Sequence, residues 1–150
     1  MINPQKIRPP QVLLVFLVIV LILNFLLNPP RLVSSHYLGL GIFIALLGFV
    51  WMGWARQLFE KHKTPVCHNE KPIKHVTEGP FRYSRNPMYT GAIIMLIGFA
   101  LAIGTWPFFL LPLFMVIILN SIYIPWEEKM MVDLFGDEFK RYMKKVRRWF

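Results

Sequence analysis

Four long apolar runs divide the chain, and polar segments of unequal length connect them. The first run, Val12 to Leu27, carries no charge and a single polar residue, Asn24, and comes close to the ~20 residues that a helix needs to cross a bilayer. The four runs together predict an all-α integral membrane bundle of four transmembrane helices. These spans are expected at about residues 11–28, 37–55, 87–104 and 107–124.

The ends and connections of the runs favour membrane spans over other uses. A signal peptide is the alternative for the first run, but Asn28-Pro29-Pro30-Arg31 lacks a small-residue cleavage pattern. The last two runs are joined only by Gly104-Thr105-Trp106-Pro107, which predicts a tight helical hairpin. The second run ends in aromatic residues, as interfacial anchors would, and contains small residues that allow close helix packing: Gly39, Gly41, Ala45, Gly48 and Gly53.

The net charge of +9 is concentrated on one side of this arrangement. Two Lys and Arg residues precede the first span, seven lie between the second and third, and seven follow the fourth, whereas Arg31 is alone in the first loop. Because positive residues collect on the cytoplasmic side, both termini are predicted to be cytoplasmic, in a bacterial or archaeal inner membrane. Anionic lipid head groups are the expected counter-charge, since no nucleic-acid-binding module is recognisable.

The segment from Glu78 to Gly91 leads directly into the third span. Gly79-Pro80 indicates a turn, and Asn86 stands before a proline whose fixed φ suits the first helical position, so a helix is predicted to begin at Pro87 with Asn86 as its cap. The unsatisfied N–H groups of its first turn would lie at the membrane surface, where Arg82 and Arg85 add positive charge. These features together predict an anion site.

A second polar segment follows the fourth span and is predicted to form an amphipathic interfacial helix from Pro125 onward. Gly136 is expected to end this helix and Asp137 to cap a second short one. Glu127 and Glu128 lie within a few residues of the hydrocarbon, where a carboxylate is costly unless a cation or hydrogen-bond donors compensate it. The helix dipole, Arg82 and Arg85, or a bound cationic ligand would supply that compensation.

Three further features have ordinary structural explanations. The triplet Gly39 to Gly41 is too short to indicate a cofactor motif and fits helix packing. His62, His68 and His75 are separated by six and seven residues without clustered acids or cysteines, so no metal site is predicted. Cys67 next to His68 suggests a catalytic thiol, but adjacent loop residues rarely point together, so none is assigned.

Two blocks of the sequence carry a family resemblance. GPFRYSRNPMYTG, at residues 79–91, and the pattern EExxMxxxFGxxFxxYxxxV, from Glu127 to Val146, together resemble the membrane-embedded methyltransferases that include isoprenylcysteine carboxyl methyltransferases and phospholipid N-methyltransferases. The resemblance extends over Ile73 to Arg148, about half of the chain. It implies one membrane methyltransferase domain over residues 1–150, with a cytoplasmic cofactor region at 56–91 and 125–150.

The resemblance implies that S-adenosylmethionine binds in this cytoplasmic region. Its carboxylate suits the helix start at Pro87, its ammonium and sulfonium suit Glu127, and its adenine suits Phe81, where the family often has Tyr, or Tyr89. The implied cofactor contacts are Ile73, Lys74, His75, Val76, Phe81, Asn86, Pro87, Met88, Tyr89 and Glu127.

The sequence departs from the family pattern at two positions. Isoprenylcysteine enzymes are expected to carry an arginine for the substrate carboxylate four residues before the paired glutamates, where this chain has Tyr123, the candidate substrate-binding residue. Asn86 replaces the histidine of the common RHP-x-Y motif and still suits a helix cap. The first departure argues against a prenylcysteine substrate, and the second is compatible with cofactor binding.

The expected reaction is in-line methyl transfer to a lipophilic small molecule that enters from the bilayer. The acceptor would be an isoprenylcysteine-like carboxylate, a lipid amine or another small hydrophobic nucleophile; an amine must lose a proton, for which His75 and Glu128 are the candidate acceptors. Two alternatives remain open. One is a sterol-reductase-like enzyme that binds NADPH, and the other is a small lipid-interacting membrane protein without enzymatic activity.

Overall fold

The chain folds as an all-α membrane bundle, as predicted. The computed structural model describes residues 6–65 and 72–150. Five α-helices occur in these ranges, with short 3-10 turns at Ser35–Tyr37 and Gly79–Arg82 and a π-helical segment at Leu119–Tyr123. The α-helices are α1 (Pro9–Leu27), α2 (Leu38–Lys61), α3 (Pro87–Ile103), α4 (Trp106–Ile118) and α5 (Ile124–Lys145).

Each predicted span contains a helix, and α2 extends beyond the second predicted span. The segments Pro9–Leu27, Ser35–Lys61 and Trp106–Lys145 are long and apolar enough to cross a membrane, and the 17-residue α3 is a shorter apolar helix. α2 continues six residues beyond the predicted end at 55, because its polar residues still support a helix: Arg56 pairs with Glu60 one turn later at 3.0 Å. The predicted cytoplasmic region from 56 therefore begins as helix.

Small residues let α2 and α3 pack with their backbones close together. A Cβ atom on Gly98 would lie 2.3 Å from the Ala45 backbone nitrogen, and one on Gly48 would lie 2.5 Å from the Gly91 carbonyl oxygen. The predicted packing role is thus confirmed for Gly48, and Gly41 makes similarly close approaches to α3. It is wrong for Gly39 and Gly53, since a Cβ atom there would have no neighbour within 4 Å.

The two short connections meet at one end of the bundle. The backbone N–H of Leu32 donates to the Gly104 carbonyl over 2.7 Å, and the Thr105 hydroxyl donates to Asn24 Oδ1 over 2.7 Å. Asn24, the single polar residue of the first apolar run, thereby satisfies a polar group at the start of α4. The described parts of the connection between α2 and α3, residues 62–65 and 72–86, lie at the opposite end.

The last span and the interfacial segment form one helical run rather than two separate helices. The helix predicted to begin at Pro125 is α5, which begins at Ile124, and it continues from the last span because Leu119–Tyr123 forms a π-helix between α4 and α5. Proline has no backbone N–H to donate, and the wider π-helical turn lets the helix continue past this position. The helical run breaks at Gly136, whose φ of 53° and ψ of −127° interrupt α5 where a helix end was predicted.

The C-terminal segment, residues 146–150, lies against the start of α3. The backbone N–H of Arg85 donates to the Arg147 carbonyl, and both Ser84 Oγ and Asn86 Nδ2 donate to the Arg148 carbonyl at 3.0 and 3.1 Å. These bonds join residues more than 60 positions apart, so they fix the end of the chain to the segment that precedes the third span.

Candidate functional site

A cavity of about 580 Å³ lies at the end of the bundle opposite the two short connections that meet at Leu32 and Gly104. The start of α3, both halves of α5 and the segment 72–81 form its walls, while α1 and α4 close its deeper part. Nine of the ten residues implied as cofactor contacts line it: Lys74, His75, Val76, Phe81, Asn86, Pro87, Met88, Tyr89 and Glu127. Segments far apart in the sequence therefore converge on one space, although their roles in binding remain predictions.

Two predicted site residues lie elsewhere. Ile73 is 74% exposed and does not line the cavity, because its side chain points to solvent from the loop. Tyr123 is fully buried in the core with Leu119 and Ile124, and its hydroxyl donates to the Ile7 carbonyl over 2.7 Å. Tyr123 therefore anchors the segment before α1, and its side chain does not line the cavity.

The paired glutamates at the start of α5 have different surroundings. Glu127 accepts a hydrogen bond from the Tyr89 hydroxyl at 2.7 Å, which joins the starts of α3 and α5. Glu128 accepts hydrogen bonds from Arg148 with both oxygens and forms an ion pair with Arg85 at 3.1 Å. The prediction that an arginine from the 78–91 segment compensates this pair is thus confirmed for Arg85.

The arginines at this end differ in how fully they are engaged. Arg85 is largely buried, and its Nε has no hydrogen-bond partner in the described residues. Arg148 hydrogen-bonds Glu128, which raises the pKa of its guanidinium above the usual value. Arg82 is exposed and forms no ion pair within the described part of the chain. A buried guanidinium N–H without a partner is costly unless a ligand accepts from it.

The start of α3 confirms the predicted helix boundary but not the predicted cap. The helix begins at Pro87, yet the Asn86 side chain does not cap it. Instead Asn86 Nδ2 donates to the Arg148 carbonyl, because the C-terminal segment supplies an acceptor at that point. The positive end of the α3 dipole therefore faces the cavity through Pro87 and Met88 without a side-chain acceptor from Asn86.

His75 lies in an aromatic enclosure at the other end of the cavity. Its Nδ1 is 3.0 Å from Glu138 Oε1, and the rings of Phe135, Phe139 and Tyr142 stand 4.7 to 5.7 Å from its own ring centre. The side chain is only 4% exposed, and Nε2 has no hydrogen-bond partner in the described residues. The Tyr142 hydroxyl donates to the Phe81 carbonyl over 2.6 Å and so fixes this wall.

The loop that carries His75 is tied to the end of α2. The His62 ring hydrogen-bonds Glu78 through Nε2, and Lys74 Nζ lies 3.2 Å from His62 Nδ1. The bond from His62, aided by the charge of Lys61, lowers the pKa of the Glu78 carboxyl below its ordinary value. His62 thus serves the loop structure, while Cys67 and His68 lie outside the described residues.

An apolar arm extends the cavity into the bundle. Its walls are Leu13 of α1, Ile93 and Leu96 of α3, and Met115 and Leu119 of the last helical run. Leu96 follows Tyr89 by seven residues, so the arm reaches roughly 10 Å deeper along α3 than the Tyr89–Glu127 pair. Its apolar lining suits an aliphatic chain.

Sequence reasoning missed several residues of this site. Phe139 and Tyr142 appeared only as part of an amphipathic helix, although the family pattern includes both, and Glu138, which contacts His75 without lining the cavity, was not singled out. Arg8, directly before α1, and Leu13 in α1 also line the cavity, and no motif marks them. Their proximity depends on how α1 packs against α4, which local patterns do not encode.

Comparison with known proteins identifies relatives of this chain. A family model described as phospholipid methyltransferase matches residues 34–138. An uncharacterized protein from Haemophilus influenzae is 34% identical over 62 residues, which is 41% of this chain and 98% of that protein. No solved structure gives a significant match.

Proposed function

Because the chain belongs to the phospholipid methyltransferase family, we propose that it transfers a methyl group from S-adenosylmethionine to a lipophilic acceptor at the cytoplasmic membrane face. Family membership supports methyl transfer to lipid-type substrates. The observation that carries the finer proposal is a single cavity that joins the Tyr89–Glu127 pair, an aromatic end around His75 and an apolar arm.

The polar groups of the cavity fit the cofactor. An ammonium and a sulfonium need a carboxylate, and Glu127 presents one beside the start of α3. A carboxylate needs donors, and Arg85 Nε is a buried donor without a partner in the described residues. We assign cofactor binding to the nine lining residues named above and add Arg85.

The chain's own residues would position the reactants and exclude water. When bound, S-adenosylmethionine supplies an electrophilic methyl group, so the protein has to hold that group in line with the nucleophile. The hydrogen bond from Tyr89 orients Glu127, and the ion pairs of Glu128 hold Arg85 in place. Since Arg85 and Arg148 occupy both oxygens of Glu128, we assign it this positioning role and not that of a proton acceptor.

The acceptor would place its aliphatic part in the apolar arm and its nucleophile near Tyr89. The arm is lined by apolar side chains from three different spans, so an acceptor dissolved in the bilayer would reach it between helices. Tyr123, at the position where a carboxylate-binding arginine is expected, is buried in the core. We therefore favour a lipid amine or another nucleophile without a carboxylate.

The charges at the two ends of the bundle support one orientation in the membrane. The end that contains the cavity carries the basic residues of the 72–86 segment and of α5, whereas the opposite end has Arg31 beside the Gly104 turn. This distribution supports a cytoplasmic cavity with both termini on the cytoplasmic side. Anionic head groups around the cavity would balance the surplus positive charge.

Transfer of tritium from methyl-labelled S-adenosylmethionine tests the proposed function. The purified protein in lipid nanodiscs is incubated with lipid amines, isoprenylated thiols, or small lipophilic amines and phenols, and radioactivity in the extracted lipid is counted. We expect labelling of at least one class, reduced at least tenfold by Glu127→Gln and unaffected by Glu60→Gln, an exposed glutamate paired with Arg56. Wild-type protein that binds no S-adenosylhomocysteine and labels no class would refute the proposal.

A further inference from the structure

The mechanism outlined above counts His75 among the cofactor contacts without saying what it binds, and it gives no role to Glu138. The His75 side chain lines the cavity and is 96% buried, whereas that of Glu138 is 61% exposed. A carboxylate only accepts hydrogen bonds, so the 3.0 Å contact requires the proton of the ring to be on Nδ1. In a neutral imidazole the lone pair is then on Nε2.

Nε2 points away from Glu138 and therefore into the protein. The two ring nitrogens of imidazole face nearly opposite directions, and Glu138 lies on the solvent side. Nε2 is buried and has no hydrogen-bond partner in residues 6–65 and 72–150. A buried acceptor left without a donor is a costly arrangement, which a ligand with an N–H group would relieve.

The position of His75 along α5 indicates which part of a ligand it would meet. Glu127 and Phe135, which contacts His75, are eight residues apart, so about 12 Å separates them along the helix axis. A cofactor with its charged amino-acid end at Glu127 would extend its base toward this aromatic enclosure. The apolar arm starts at the opposite end, near Tyr89, so His75 is remote from the acceptor.

We propose that His75 reads the adenine of S-adenosylmethionine, with Nε2 accepting a hydrogen bond from the exocyclic amine and Glu138 holding the required tautomer. This assignment rests on the proposed function and makes His75 a specificity-determining residue and Glu138 a positioning residue. Phe139 and Tyr142 supply the apolar walls of the base site. Nε2 is covered in this structure, so the assignment requires a flanking ring to move when the base enters.

Binding of two nucleoside analogues tests the assignment. S-inosylhomocysteine carries a carbonyl oxygen where S-adenosylhomocysteine carries the exocyclic amine, so it places an acceptor opposite the Nε2 lone pair. By calorimetry on the wild-type protein in nanodiscs, we expect S-adenosylhomocysteine to bind at least tenfold more tightly. His75→Phe keeps an aromatic ring but has no acceptor. The ratio of the two dissociation constants should therefore fall to near one, because the adenosyl ligand binds roughly tenfold more weakly.

A matched pair of carboxylate variants tests the positioning role. In Glu138→Gln the amide can donate to Nδ1 as well as accept from it, so the ring is no longer held in one tautomer and the preference for the adenosyl ligand should fall severalfold. Asp137→Asn alters an exposed carboxylate that pairs with Lys140 and should leave that preference unchanged. Equal wild-type binding of both analogues, or a preference that survives in His75→Phe, would overturn the assignment while the proposed function stands. If His75→Phe does not fold, an unchanged preference in Glu138→Gln overturns it. If the wild-type protein binds neither analogue, the assignment and the proposed function are both overturned.

Discussion

Glu127→Gln separates the charge of this residue from its structural contact. The amide keeps a carbonyl oxygen where Glu127 Oε1 accepts the Tyr89 hydroxyl at 2.7 Å, so the junction between α3 and α5 should persist. The variant loses only the negative charge. We therefore expect a thermal midpoint close to the wild-type value together with weaker cofactor binding.

The size of that loss follows from the partial burial of Glu127. Two opposite charges 4 Å apart interact by ~4 kcal/mol at an effective dielectric constant of 20, an upper limit for a half-buried carboxylate. A hydrogen bond to a charged group contributes about 1.5–3 kcal/mol after the competition with water is included. We adopt the smaller range, which corresponds to binding weakened roughly 10- to 150-fold.

Isothermal titration calorimetry with two ligands measures this loss and locates the charge that Glu127 meets. S-adenosylmethionine and S-adenosylhomocysteine share an ammonium group, but only the first has a sulfonium. We expect Glu127→Gln to weaken both and to affect S-adenosylmethionine more strongly, while Glu60→Gln changes neither. A folded Glu127→Gln protein with wild-type affinity for both ligands would refute the assigned role.

Three further predictions concern topology and packing. In a background without the native cysteine, cysteines at Lys144 and Arg31 should react with impermeant maleimide from opposite sides of the membrane; labelling from one side would refute the topology. Gly98→Ala should lower the free energy of unfolding in detergent melts by about 2 kcal/mol, whereas Gly39→Ala, with open space around it, should not lower it. Arg148→Ala should lower the free energy of unfolding by about 1–3 kcal/mol in the same melts. It should also weaken S-adenosylhomocysteine binding, because Glu128 then lacks the arginine that fixes its orientation toward Arg85. Unchanged binding would confine Arg148 to a structural role.

Local patterns predicted most of the secondary structure. Apolar runs of spanning length predicted the helices, and proline and glycine signals predicted the starts and breaks at Pro87 and Gly136. The errors arose where a local signal competed with a continuing helix. α2 extends through polar residues to Lys61, and the π-helix at Leu119–Tyr123 carries the last span past Pro125.

The site was predicted less completely, because side-chain partners depend on distant segments. Asn86 suits a helix cap, but the C-terminal segment provides an acceptor for its amide, and the cap hydrogen bond is absent at this described helix start. Tyr123 follows a family position, yet its side chain lies in the core and binds the Ile7 carbonyl. In each case a segment more than 60 residues away decides where the polar group is directed.

By itself the sequence determined the number of apolar spans, their helical form and the charge asymmetry, because these depend on composition and on spacing within single segments. Only the tertiary structure decided that Tyr89 meets Glu127, that Arg85 and Arg148 share Glu128, and that Glu138 reaches His75. Such pairs form when helices pack at particular separations, such as the close contact of α2 with α3. Packing is a property of several segments at once, and it determines which polar groups find partners and which face the cavity.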